Sequence, residues 1–258
     1  MGVRLSTLAG EAAAVLAVLT GSIHLPYARV PEPPADPGVA VLQVKEWRSL
    51  VGPSERAEIP EVTILGGGRV IVPAGQDGAL QRTAEHTLSP DRYLYIYRLA
   101  HQAGLAQNRH LSSPVEATDG SLLVVTLRSG GRKYTTTVTS PGSDDAGRRG
   151  RIARFRRALS ILIAAQKSTP YRPAAYAALA SGGYGTTESQ AAARPWPGGT
   201  DLGAGVRTYV GRCTPLTSVP LEAAQTAQWT SGGTVLWVTL RPLLPHERTC
   251  TDIDQDTP

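Results

Sequence analysis

Apolar and polar positions along this chain follow two periods. Leu122 to Arg128 (LLVVTLR) is a run of apolar and β-branched residues, and Ser129, Gly130 and Gly131 supply a turn after it. Lys133 to Thr139 (KYTTTVT) then alternates Tyr134, Thr136 and Val138 with Thr135, Thr137 and Thr139. A period of two belongs to a half-buried antiparallel strand, so the segment predicts a hairpin. Val39 to Trp47 (VAVLQVKEW) predicts a further strand, and Glu61 to Val72 (EVTILGGGRVIV) a hairpin turned at Gly66, Gly67 and Gly68. A last pair of strands spans Trp229 to Leu240 around Ser231, Gly232 and Gly233, with Trp237 facing away from Leu236 and Val238.

Elsewhere the period lengthens to that of a helix. Ser89 can cap a helix that begins at Pro90, where the missing N–H costs nothing. Leu94, Tyr97 and His101 form one stripe with Tyr93, Ile96 and Ala100 beside it, and Gly104 ends it. Ile152, Phe155, Leu159, Leu162 and Gln166, widened by Ile163, predict a second helix over Arg148 to Lys167. A third, short helix is predicted from about Pro220 to Gln228. The fold class expected is α+β: antiparallel β-hairpins with two or three packed helices, and a small disulfide-closed C-terminal α/β-hairpin unit.

Prolines and glycines divide these elements. Tyr27 to Gly38 (YARVPEPPADPG) holds four prolines and cannot continue a helix. Pro170 and Pro173 flank an alanine-rich stretch, and Ser181 to Gly199 is rich in glycine around Trp196. The chain therefore divides into a signal-like or peripheral segment at 1–26, a Pro-rich linker at 27–38 and an α+β domain at 39–168. A Pro/Gly-rich linker or long loop at 169–200, a disulfide-closed unit at 201–252 and a tail at 253–258 follow. Ala12 to Leu19 (AAAVLAVL) has the length of a signal-peptide core and is too short for a stable membrane span. Glu11 just before it leaves a peripheral helix or a misassigned start as alternatives, and no lipobox cysteine is present.

Composition changes this picture in two respects. With 27 Gly and 20 Pro against 5% aromatics, many short elements joined by turns are favoured over a few long helices. The net charge of +5 comes from arginine, because only Lys45, Lys133 and Lys167 among the 26 basic residues are lysines, a bias of GC-rich genomes. Cys213 and Cys250 are spaced for neither C-x-x-C redox chemistry nor a zinc site. They are either a disulfide or two unrelated buried thiols. A disulfide fits an exported protein, and closing its loop would contribute about 4 kcal/mol.

Candidate chemistry is sparse. The three glycines at 66–68 lie between strands, not before a helix N-terminus, so they do not form a phosphate loop. Neither G-x-S-x-G nor H-E-x-x-H occurs. His86, His101 and His110 share no helical face, so no metal or cofactor is expected. Trp196, Trp229 and Trp237 suggest packing before sugar stacking.

Arg148, Arg149, Arg151, Arg154, Arg156 and Arg157 crowd the start of the second helix, where cations oppose the helix dipole and Asp144 and Asp145 offset part of the cost. Such a face is a candidate site for an anionic envelope polymer or a membrane surface, and another envelope protein is a further partner class. It lacks interleaved exposed aromatics, which counts against nucleic acid.

The stretches IPEVTILGGGRVIVPAG, LAHQAGL, DGSLLVVTLRSGG, RPWP, RCTPL, WTSGG and RPLLPHERTC resemble a family of uncharacterised secreted or lipoprotein-like proteins of high-GC Gram-positive bacteria. The resemblance spans about Ile59 to Cys250 and implies a cell-envelope or secreted location. It carries no catalytic residue with it. The function expected is that of a non-enzymatic extracytoplasmic binding or structural protein. The alternative is an envelope-associated enzyme, of hydrolase type, with Glu58, Glu61, Asp119 or His246 in a cleft.

Overall fold

The computed structural model describes residues 30–48, 58–113, 120–142, 146–182, 193–208, 211–224 and 226–256. The signal-like segment 1–26, Asp119, Asp144, Asp145 and much of the glycine-rich loop before Trp196 lie outside the described residues. Every element below belongs to the compact unit Pro31–Pro258. Its strands are β1 (Ala40–Arg48), β2 (Val62–Leu65), β3 (Arg69–Asp77), β4 (Leu80–Thr87), β5 (Arg109–Leu111), β6 (Ser121–Ser129) and β7 (Arg132–Thr139). They continue as β8 (Ser168–Pro170), β9 (Tyr176–Gly182), β10 (Arg194–Pro195), β11 (Val206–Thr208), β12 (Gly211–Leu216), β13 (Gln228–Ser231) and β14 (Thr234–Pro242). Two helices accompany them among the described residues, α1 (Pro90–Gln102) and α2 (Gly147–Ala164).

All 14 strands join one mixed sheet in the order β11-β12-β9-β14-β4-β3-β2-β1-β6-β7-β5, with β8 on β4, β13 on β14 and β10 on β13. This corrects the expected α+β class: the described residues form a β-rich mixed sheet accompanied by two helices, rather than hairpins packed with two or three helices. The predicted third helix is a 3-10 turn, Leu221–Ala224, followed by strand pairing, since the Val238 N–H donates to the Ala227 carbonyl at 2.7 Å. The alanine-rich stretch after Pro173 is β9, an interior strand between β12 and β14. Ala177, Ala178, Leu179 and Ala180 are buried on both of its faces, so the strand reads as a continuous apolar run rather than an alternation. Strand β4 (LQRTAEHT), also not predicted, is mostly polar, yet it pairs with β3, β8 and β14.

The elements with clear periodicity fall where the residues put them. The Ser89 hydroxyl accepts from the Arg92 N–H at 3.3 Å and starts α1 at Pro90. Gly104, at φ +83°, occupies the left-handed position that ends it. In the first hairpin the close approach of Asp36 explains Gly66: a Cβ there would meet the Asp36 carbonyl oxygen at 2.0 Å.

Register defines two faces around β1. Glu46 lies opposite Leu123, and Leu42 opposite Leu127, so these share a face with Ser129. Both helices cover it: Tyr97 of α1 donates to the Ser129 hydroxyl at 2.6 Å, and Arg156 of α2 reaches Glu46 at 2.5 Å. The other face presents Gln43 opposite Thr126 on one side and Thr63 on the other, all buried. It is unusually polar for a buried sheet surface.

The C-terminal strands form their own apolar layers. Trp196 and Trp229 meet edge-to-face, 5.6 Å between centroids, over Ala178, Ala180, Leu236, Val238 and Leu240. The disulfide Cys213–Cys250 joins β12 to the 3-10 turn Cys250–Asp256 and is buried with Ala177, Leu179, Leu243 and Ile253. A single parallel position, Leu240 opposite Leu80, connects β14 to β4.

Candidate functional site

The arginine run is divided by the fold into structural and exposed members. Arg149 Nη1 donates to the carbonyls of Leu111, Ser112 and Thr139 at 3.1, 2.8 and 3.0 Å, and its Nη2 to that of Ser140 at 2.8 Å. Its guanidinium therefore ties together the ends of β5 and β7 through their carbonyls. Arg156 is held by two carboxylates, Glu61 through Nε at 2.9 Å and also through Nη2, and Glu46. Burial alone would lower the Arg156 pKa, but the bonds and charges of Glu61 and Glu46 outweigh it and raise it. Glu46 also accepts from the Ser121 hydroxyl at 2.6 Å.

Arg148, Arg151, Arg154 and Arg157 remain exposed. At 100° per residue, Arg154, Arg157 and Ile161 fall within about 60° of one another, opposite the stripe of Ile152, Phe155, Leu159 and Ile163 that faces the sheet. Ile161 is 52% exposed, one of the few large apolar side chains in water. The helix sequence GRRGRIARFRRALSILIA contains no acidic residue, and its N-cap Ala146 makes no side-chain cap bond. Its charge thus sits at the end where the dipole disfavours it.

A second polar site lies on the opposite side of the sheet, where the buried polar face opens to solvent. A cleft of about 220 Å³ is lined by Gly38, Val39 and Ala40 along one edge and by Gln43, Thr126, Arg128, Lys133, His246 and Asp252. Strands β1, β6 and β7 supply Gln43, Thr126, Arg128 and Lys133, and the segment after β14 supplies His246. Gln43 Nε2 and His246 Nε2 are 3.2 Å apart, and the Thr126 hydroxyl donates to Gln43 Oε1 at 3.4 Å.

The segment carrying His246 is anchored by its neighbour. Glu247 receives both guanidinium nitrogens of Arg241, at 2.8 and 2.7 Å, and the Leu244 N–H at 2.8 Å, in a fully buried bidentate pair. Tyr171 donates to the Leu243 carbonyl at 3.0 Å, and its hydroxyl pKa is pushed up to about 12, chiefly by burial. Burial also pushes the Asp252 carboxyl upward, but bonds from the Thr249 and Arg248 N–H groups and the Thr249 hydroxyl, with the His246 charge, hold it below its ordinary value.

Of the groups considered for catalysis, Glu61 and His246 are not brought together, and Asp119 lies outside the described residues. Glu61 is in the ion pair with Arg156 on the helix side, whereas His246 faces Gln43 on the other. Glu58 is exposed. His246 and Glu247, adjacent in sequence, turn to different partners. His86 contacts the Gln166 carbonyl and His101 the Ser129 hydroxyl, and no three metal-ligating side chains cluster among the described residues. Sequence reasoning missed the cleft, because no periodicity links Gln43 to a residue 203 positions away.

Searches against family models, curated proteins and solved structures return no match to this chain. Among the described residues, no helix is long and apolar enough to cross a membrane.

Proposed function

We propose that this is a non-enzymatic extracytoplasmic binding protein that lies against an anionic membrane surface through the exposed face of α2. The observation that carries the proposal is an acid-free helix with Arg148, Arg151, Arg154 and Arg157 exposed and with Ile161 on the face it shares with Arg154 and Arg157. Such an arrangement costs helix stability, since the cations sit at the positive end of the dipole and Ala146 supplies no side-chain cap bond. An anionic surface offsets that cost, and Ile161 can enter the headgroup boundary between the flanking guanidinium groups. The buried disulfide supports an oxidising compartment outside the cytoplasm.

Each arginine near an anionic leaflet contributes about 1 kcal/mol, so four contribute at most about 4 kcal/mol, roughly a thousandfold in partitioning at low salt. Co-sedimentation with phosphatidylglycerol-containing vesicles measures this. Binding is expected to fall steeply with salt and to be abolished in R148Q/R151Q/R154Q/R157Q, with neutral phosphatidylcholine vesicles as the blank. Equal retention of parent and variant on anionic vesicles at low salt would overturn the proposal, as would no binding at all.

A further inference from the structure

We propose that the membrane footprint is a two-helix surface, in which Tyr95 and Arg98 of α1 enter an anionic leaflet beside Arg154, Arg157 and Ile161 of α2, so that the sheet lies parallel to the bilayer. The proposal rests on the membrane reading above and extends it to a helix that the arginine run does not mark. Both helices pack on one face of the sheet, α1 through Tyr97 on Ser129 and α2 through Arg156 on Glu46, and they touch each other. Their outward stripes therefore point the same way.

In α1 the buried stripe is Tyr93, Ile96, Tyr97 and Ala100. At 100° per residue, Tyr95 and Arg98 are about 60° apart on the opposite side, and both are exposed. Among the described residues four large apolar side chains are exposed, and two of them, Tyr95 and Ile161, stand one on each helix. Tyrosine suits the headgroup boundary, because its ring is apolar and its hydroxyl stays hydrated. Arg98 follows one turn later, so each helix pairs an apolar side chain with a guanidinium, the combination that an anionic interface holds. Asp91 is the only carboxylate on the two helices, and it lies in the first turn of α1, where the dipole favours it and Arg92 adjoins it. Helices about 20 and about 27 Å long on one sheet face present an area rather than a ridge. The cleft of Gln43 and His246, on the other side of the sheet, then opens away from the bilayer.

The test sediments the full chain with mixed phosphatidylglycerol and phosphatidylcholine vesicles at low salt, as parent, Y95S, R98Q, I161S and V206S, with unfolding temperatures to check that each variant is folded. Y95S and I161S are each expected to weaken partitioning about fivefold, the scale of leaving part of a large side chain in water, and R98Q about as much. As salt rises, the deficit of Y95S is expected to persist and that of R98Q to shrink, because only the second is a charge effect. Val206 is also exposed but lies on β11, at the far end of the strand order from β1, and V206S is expected to bind as the parent does. Binding of Y95S and R98Q equal to the parent's, with R148Q/R151Q/R154Q/R157Q still released, overturns the two-helix footprint and leaves the α2 reading standing. A loss in V206S equal to that in Y95S also overturns it, by showing adsorption without a fixed orientation. Absence of binding by the parent overturns both.

Discussion

Replacing Glu247 by alanine tests how the cleft is held. Arg241 is 1% exposed, and Glu247 is its bidentate partner as well as the acceptor for the Leu244 N–H. Glu247→Ala removes both oxygens that accept these three bonds and leaves a guanidinium buried without a counter-charge, a loss of about 3–5 kcal/mol. In a domain of this size that lowers Tm by roughly 6–20 °C. Arg241→Met combined with Glu247→Met removes both charges and fills the space with apolar atoms. It still strands the Leu244 N–H, so it is expected about 1–3 kcal/mol below the parent and above the single variant. Urea denaturation and differential scanning calorimetry give both numbers. A single-variant loss below about 1 kcal/mol, or a double variant no more stable than the single, would refute the argument that the charge is stabilised by its pairing.

Two further outcomes follow from features of the core. Cys213→Ser with Cys250→Ser is expected to cost about 4 kcal/mol, because the bridge closes a loop over a separation of 37 residues; chemical denaturation checks it, and a loss under about 1 kcal/mol would contradict the chain-entropy account. Burial lowers the His101 pKa in the folded protein, so its neutral form contributes stability that is present above about pH 6.5 and lost as pH falls through that value toward the folded pKa. The stability difference between the parent and His101→Gln, followed by denaturation from about pH 7.5 to about pH 5, should therefore shift against the parent as pH falls. A constant difference would show that His101 does not titrate differently on unfolding.

How much of this was legible in the residues depended on whether a local pattern existed. The β6–β7 hairpin was legible because Thr and Val alternate along KYTTTVT, and α1 because Ser89, Pro90 and Gly104 mark both its ends. Strand β4 was not: LQRTAEHT is held in place by β3, β8 and β14 rather than by its own propensity. The alanines of β9 carry a weak strand propensity that close layering on both faces overrides. The arginine run was visible as charge, yet nothing in its spacing distinguished Arg149 and Arg156, turned inward to carbonyls and carboxylates, from the four that face water. The cleft depends on pairings 83 and 203 residues apart, which only tertiary structure supplies.

The junction of β14 with β4 has a mechanical consequence. Leu240 and Leu80 are the only paired position there, whereas β9 and β14 share seven and β6 and β7 eight. Side chains fill the place of a ladder: Ala79 and Leu80 pack among Trp229, Leu236 and Leu240, and Leu244 among Leu65 and Ile71. Packing is non-directional, so strands joined this way can slip or part while each ladder on either side stays whole. In amide exchange, β9, β12 and β14 would then lose protection together, as one cross-linked leaf hinged along an oily seam.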